Sequence, residues 1–171
     1  MTAGEHLVCT ACGSAVPIAA LPSTCPRCDG ILDLRLPAEG TDPPAAEAES
    51  AGIWRWARWL PRCPAEDRVS LGEGDTPLLR CDRLAARRGL EGLWVKNDAV
   101  MPTGSFKDRS LALATSLARH YHRPGVALSS SGNAGASAAA YAARAGLPAV
   151  VLVPETAPGG KLAQILVHGA R

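Results

Sequence analysis

VALSSSGNAGASAAAYAARAGLPAVVLV, residues Val126 to Val153, passes from a short apolar run through a polar turn into a long small-residue segment, then into a second apolar run. The pattern predicts a strand at Val126 to Ser129, a tight turn over Ser129 to Asn133, a helix from Ala134 ending near Gly146 and a strand over Ala149 to Val153. Upstream, Leu93 to Lys96 reads as a strand and Phe106 to Tyr121 as a helix with Leu111, Ala114, Leu117 and Ala118 on one face; downstream, Gly159 to His168 reads as a final helix. Short apolar strands alternating with helices predict an α/β fold, a parallel sheet with helices on both faces. Ligands of such sheets bind beyond the strand carboxyl ends, where the SSSGN turn lies. That turn aims backbone N–H groups and a helix N-terminus at one point, which suits a carboxylate or phosphate, although Ser-Gly-Asn is also ordinary turn chemistry.

PTGSFKDR, Pro102 to Arg109, holds Lys107, one of only three lysines with Lys96 and Lys161. Ser105 reads as an N-cap, and Asp108 completes an S-x-x-D box, which puts Lys107 in the first helical turn. There the positive end of the helix macrodipole disfavours an ammonium and favours an amine able to attack a carbonyl carbon. From these residues alone an ordinary solvated surface lysine is the commoner case.

Cys9, Cys12, Cys25 and Cys28 form C-x2-C, a twelve-residue gap and C-x2-C, with Gly13 and Gly30 following the two pairs. Four thiolates at this spacing predict a structural zinc ribbon over residues 1–36, closed to catalysis. Disulfides are the competing reading. Met1 to Val8 lacks the apolar run of a secretory signal, so a reducing cytoplasmic location is expected. Between His6 and Leu36, Arg27 and Arg35 are balanced by Asp29 and Asp33, leaving no basic face for nucleic acid. Cys63 and Cys81 read as ordinary thiols. Residues 37–52, rich in Pro, Ala and acid, read as a linker, and 53–171 as the second region, opening on a short helix crowded by Trp54, Trp56 and Trp59. Those tryptophans read as core or docking residues.

Three segments in order, LGEGDTPL (Leu71 to Leu78), WVKNDAVMPTGSFKDRS (Trp94 to Ser110) and SSSGNAGASAAAYAARAGLPAVVLVP (Ser129 to Pro154), resemble threonine synthases, members of the fold-type II pyridoxal-phosphate enzymes. The resemblance implies that Lys107 holds pyridoxal phosphate covalently and shuttles protons, and that Asn133 hydrogen-bonds the 3′-oxygen of its ring. It further implies that Ser130, Ser131, Gly132 and Ala134 receive the substrate α-carboxylate and that Thr103 and Ser105 contact substrate. The implied reaction converts O-phosphohomoserine and water to threonine and phosphate. An N-terminal ribbon also accompanies many such enzymes. Met101 departs from the pattern, standing where relatives usually carry Asn before Pro-Thr-Gly-Ser. Such enzymes also need a glycine-rich loop for the cofactor phosphate and a hydroxyl facing the pyridine nitrogen. Neither Gly72 to Gly74 nor Gly159 to Gly160 fits that loop, so the chain reads as the N-terminal part of a longer catalytic region.

Two other readings share these residues: a serine or threonine ammonia-lyase of the same fold, and a non-catalytic ribbon joined to a degenerate half-domain. The expected partners are a small-molecule substrate and a second copy of the chain, with no nucleic acid and no membrane. Across 171 residues the net charge is +2 and aromatics make up 4%, so alanine-lined helices must pack through small contacts. No run approaches the roughly twenty apolar residues of a membrane span. His120 and His122 read as helix-end residues favoured by the dipole, and Arg83, Arg87 and Arg88 as a solvated helical face.

Overall fold

The fold is described by a computed structural model covering residues 4–20, 22–36 and 51–171. Most of the expected linker, 37–50, lies outside the described residues. The chain divides into two compact units.

The first unit is built on β1 (His6–Cys9), β2 (Ala15–Pro17) and β3 (Leu32–Arg35). They form an antiparallel sheet in the order β2-β1-β3, with Leu7 opposite both Val16 and Leu34. Trp54–Arg62 groups with this unit, which moves the boundary expected at residue 53. Gly52–Trp59 is 3-10 rather than α-helical and is broken at Trp56. Three bulky indoles cannot share one side of a single regular turn: Trp54 is buried, while Trp56 and Trp59 are exposed. The Arg62 backbone N–H donates to Glu5 Oε1 at 2.6 Å, joining this segment to the start of the ribbon.

The second unit carries β4 (Leu78–Arg80) and β5 (Trp94–Lys96), α1 (Asp82–Arg87), α2 (Lys107–His120), β6 (Val126–Ser129), α3 (Asn133–Ala145), β7 (Ala149–Leu152) and α4 (Gly159–Leu166). The α/β class expected from the sequence is the one found. β6 and β7 pair in parallel, Val126 opposite Ala149 through Ser129 opposite Leu152, with α3 as the crossover. β4 and β5 form a separate antiparallel pair. Ala127, Ser129, Val150 and Leu152 alternate with the inward residues of β6 and β7 and are exposed, so among the described residues the helices cover one face of that pair.

The core joins Ala136, Ala139 and Ala142 of α3 to Ala149 and Val151 of β7 and Ile165 of α4, flanked by Val126, Leu128, Leu147 and Val153. Each buried methyl contributes only about 0.8 kcal/mol, so cohesion depends on close approach. Gly135 sets that approach. A Cβ there would meet Ser130 O and Val151 Cγ1 at 2.9 Å and Ile165 Cδ1 at 3.1 Å. Beyond α4, Arg171 bonds the free edge of β7 twice: its N–H to Ala149 O at 3.0 Å and its carbonyl to the Val151 N–H at 2.7 Å.

The buried face of α2 differs from the expected apolar stripe. It consists of Asp108, Ala112, Thr115, Ser116 and Ala118, whereas Ala114 is exposed and Leu111 and Leu117 are half-buried. Ser116 can go inside because its hydroxyl is bonded, donating to Ala112 O at 2.7 Å and accepting the Val69 N–H at 2.8 Å, whereas the buried Thr115 Oγ1 has no partner among the described residues. His120 likewise does more than end the helix, since its Nδ1 lies 2.8 Å from Asp67 Oδ2. The α1 arginines are exposed, as expected of a solvated face.

Candidate functional site

The loop before α2 carries Lys107 and is pinned from several sides. Ser105 is 5% exposed, and its Oγ accepts the Lys107 backbone N–H at 3.2 Å. The expected box is therefore half present. Phe106, not Ser105, is the residue before the first helical position, and the Asp108 carboxylate does not return to Ser105. Instead Asp108 Oδ2 accepts the Thr103 N–H at 2.8 Å, and Oδ1 accepts the Thr103 hydroxyl at 2.5 Å and the Ser137 hydroxyl at 2.7 Å. Three donors satisfy a carboxylate that is wholly buried, which is what such a group requires. Ser105 and Thr103 were expected to touch substrate. The structure places Ser105 inside as a brace and commits the Thr103 hydroxyl proton to Asp108.

A second brace lies one turn further along. Arg109 grips Asp98 through two bonds, Nη1 to Oδ2 at 2.6 Å and Nη2 to Oδ1 at 2.9 Å, and Thr76 Oγ1 donates to Asp98 Oδ1 at 2.8 Å. The Arg109 hydrogen bond and then the Thr76 bond lower the Asp98 carboxyl to about 2. Lys96, one of the three lysines, is spent here on the Thr76 carbonyl. Lys107 is half-buried, with Nζ 4.9 Å from the centre of the Phe106 ring.

The turn into α3 is arranged differently from a simple cap. Ser130 Oγ accepts the N–H groups of Gly132 and Gly135, both at 3.2 Å, so this hydroxyl holds the turn. Ser131 and Asn133 are exposed, Gly132 and Ala134 half-buried. A Cβ built on Gly132 would meet no atom within 4 Å, leaving the helix N-terminus open to a ligand. Asn133 Oδ1 accepts from Lys161 Nζ at 2.6 Å, Lys161 also reaches Gln164 Oε1 at 3.3 Å, and Gln164 Nε2 donates to Thr103 O at 3.1 Å. Thus α4 links the two loops. Sequence reasoning missed Ser137, Lys161 and Gln164. Only the scarcity of lysine hinted at Lys161.

The donor set fits part of pyridoxal phosphate: an amine for its aldehyde, an amide for its ring oxygen and an open helix N-terminus. No glycine-rich phosphate cup lies among the described residues.

In the ribbon unit, the ligand atoms of Cys9, Cys12, Cys25 and Cys28 lie within 4.8 Å of one another. Cys9 and Cys28 Sγ are 3.5 Å apart, Cys12 and Cys25 Sγ 3.7 Å. A tetrahedral centre with metal–sulfur bonds of about 2.3 Å needs sulfurs about 3.8 Å apart. The four cysteines are free thiols, and the set can hold a metal ion. Hydrogen bonding to the Ser14 hydroxyl lowers the Cys12 thiol to about 6. Although the Gly30 N–H favours its thiolate, Cys28 is pushed up to about 12 by the Cys12 and Cys9 thiols. Crowded thiols resist common ionisation unless a cation joins them. Gly30 is required by space: a Cβ there would meet Cys9 Sγ at 2.8 Å and Cys28 Sγ at 3.3 Å. The left-handed residue after the second pair is Asp29, with φ 55°.

The family model described as pyridoxal-phosphate dependent enzyme matches residues 69–171. The chain belongs to the pyridoxal-phosphate dependent enzyme family. Among its relatives, the threonine synthase of Methanosarcina acetivorans is 39% identical over 169 residues, which cover 97% of this chain and 41% of that protein. The threonine synthase of Methanocaldococcus jannaschii is 38% identical over 168 residues, 95% of this chain and 41% of that protein. The chain therefore spans about two-fifths of the length of these relatives. Among solved structures, diaminopropionate ammonia lyase from Escherichia coli superposes with a TM-score of 0.53 at 25% identity, covering 63% of this chain and 33% of that one. In this chain the amine, amide and open helix N-terminus occupy one unit, and the cysteine cluster another. Among the described residues, no helix is long and apolar enough to cross a membrane.

Proposed function

We propose that the chain forms the N-terminal part of a threonine synthase, converting O-phosphohomoserine and water to threonine and phosphate with Lys107 at the reacting centre. The observation that carries this reading is that two threonine synthases match 97% and 95% of the chain at 39% and 38% identity.

Pyridoxal phosphate, when bound, supplies the electron sink for charge at the substrate α-carbon. Lys107 would hold the cofactor through Nζ and would serve as the base and acid that moves protons at the substrate α- and β-carbons. Asn133 offers its amide to the ring oxygen. In a turn held by Ser130 Oγ, which takes the Gly132 N–H, the backbone N–H groups of Ser131 and Ala134 receive the α-carboxylate, with Gly132 leaving it room. Thr103 and Ser105 act by fixing the loop that carries the amine. In the ribbon, Cys9, Cys12, Cys25 and Cys28 hold a structural zinc ion, which stabilises that unit and leaves no coordination position for substrate. The cytoplasm, a homodimer and a small-molecule substrate complete the proposal, with size-exclusion chromatography as the test of the dimer.

A serine or threonine ammonia-lyase is the second reading, favoured by the likeness to the diaminopropionate ammonia lyase structure. Steady-state assay of the complete polypeptide separates them. Threonine and phosphate released from O-phosphohomoserine support the first, whereas deamination of threonine with phosphohomoserine ignored overturns it.

A further inference from the structure

We infer that Asp108 is a positioning residue, setting the Lys107 amine against the α3 terminus by clamping Thr103 on one side and Ser137 on the other. The inference rests on the reading of Lys107 as the cofactor lysine and adds what aims it. Asp108 adjoins Lys107 in sequence, so its carboxylate and the amine leave the same helical turn. Ser137 lies four residues beyond Asn133 on α3, one turn along the same face. The 2.7 Å bond from Ser137 Oγ to Asp108 Oδ1 is thus a direct tie between the helix carrying the amine and the helix carrying the amide. Thr103 closes the clamp from within the loop, with its N–H on Oδ2 at 2.8 Å and its hydroxyl on Oδ1 at 2.5 Å. Asp108 and Ser137 are wholly buried, so water cannot replace either partner.

The geometry of the donors excludes a role confined to helix capping. A capping carboxylate returns to its own first turn, whereas this one receives a hydroxyl from another helix and two donors from the preceding loop. Burying a carboxylate with neutral donors is stable only while all of them stay in place. Removing one lets the loop or α3 relax, and a small displacement of a reacting group lowers rate steeply.

The test is reductive trapping of pyridoxal phosphate by borohydride, read lysine by lysine by mass spectrometry on the full chain. Thr103→Val and Ser137→Ala each remove one hydroxyl, while Thr103→Ser keeps it. Expected are trapping at Lys107 slowed about tenfold in Thr103→Val and Ser137→Ala, and near the wild-type rate in Thr103→Ser. Labelling at Lys96 and Lys161 stays unchanged in all three, which a general loosening of the fold would not allow. Wild-type trapping rates in Thr103→Val and Ser137→Ala overturn the inference and leave the cofactor reading standing, as does a Thr103→Ser variant as slow as Thr103→Val. A wild-type chain that traps nothing at Lys107 overturns both.

Discussion

Tyr141 donates its phenolic proton to Glu73 Oε2 at 2.8 Å, and both side chains are completely buried. The same oxygen accepts Ser70 Oγ and the Leu71 N–H, each at 3.0 Å, so the LGEGDTPL segment is anchored on α3 through one carboxylate. Removing a donor from a buried carboxylate costs more than an average hydrogen bond.

Tyr141→Phe is therefore expected to lower unfolding free energy by about 2 kcal/mol, measured by urea titration at pH 7. Burial first, then the bond to Glu73, raises the Tyr141 phenol above its ordinary range. The folded state keeps this proton after the unfolded state, with a phenol near about 10, has released it. Its contribution is fully present below that pH and is lost as pH rises beyond it. Tyr141→Phe should flatten the alkaline limb of the stability profile.

Asp98 gives the opposite dependence. Its folded carboxyl is lowered to about 2 from 3.8, first by the Arg109 bond. That stability is complete above the unfolded value and is lost as pH falls from 3.8 towards 2. Asp98→Asn should bring unfolding midpoints at pH 7 down towards those at pH 2, removing part of the acid limb seen in the wild type. Thermal denaturation across that range checks it.

At the cysteine cluster, Gly30→Ala forces a methyl against two sulfurs. Zinc affinity should fall about tenfold or more, read by competition with a chromogenic chelator. Stripping the metal with a strong chelator should unfold the ribbon unit, measured by loss of amide-exchange protection at Leu7 and Leu34.

Gly135→Ala places a methyl 2.9 Å from both a carbonyl and Val151 Cγ1. Overpacking of this kind costs about 1–3 kcal/mol, expected as a lowered unfolding midpoint. Tryptophan fluorescence would miss a loss confined to the α3 core, so circular dichroism is the suitable readout.

The elements around β6, α3 and β7 were legible because local rules suffice there: apolar runs, a Gly-Asn turn and an alanine-rich helix each announce themselves. Lys107 was singled out by the turn before it, and the cysteine cluster by its spacing. What stayed hidden depends on partners distant in sequence. Asp108 looked like a cap because its true donors include Ser137 on another helix. The buried face of α2 escaped a hydrophobicity count because Thr115 and Ser116 are polar yet enclosed. The antiparallel pairing of β4 with β5 and the grouping of Trp54–Arg62 with the ribbon are likewise tertiary choices. Lys161 showed no local sign of reaching Asn133.

That last contact sorts incoming oxygens by their protonation. With one lone pair of Asn133 Oδ1 taken by Lys161 Nζ, the amide keeps its N–H donors for an oxygen that lends a lone pair. A deprotonated ring oxygen offers only lone pairs, so those N–H donors favour it over the protonated hydroxyl. One lysine distant in sequence thereby fixes which end of the amide a ligand meets.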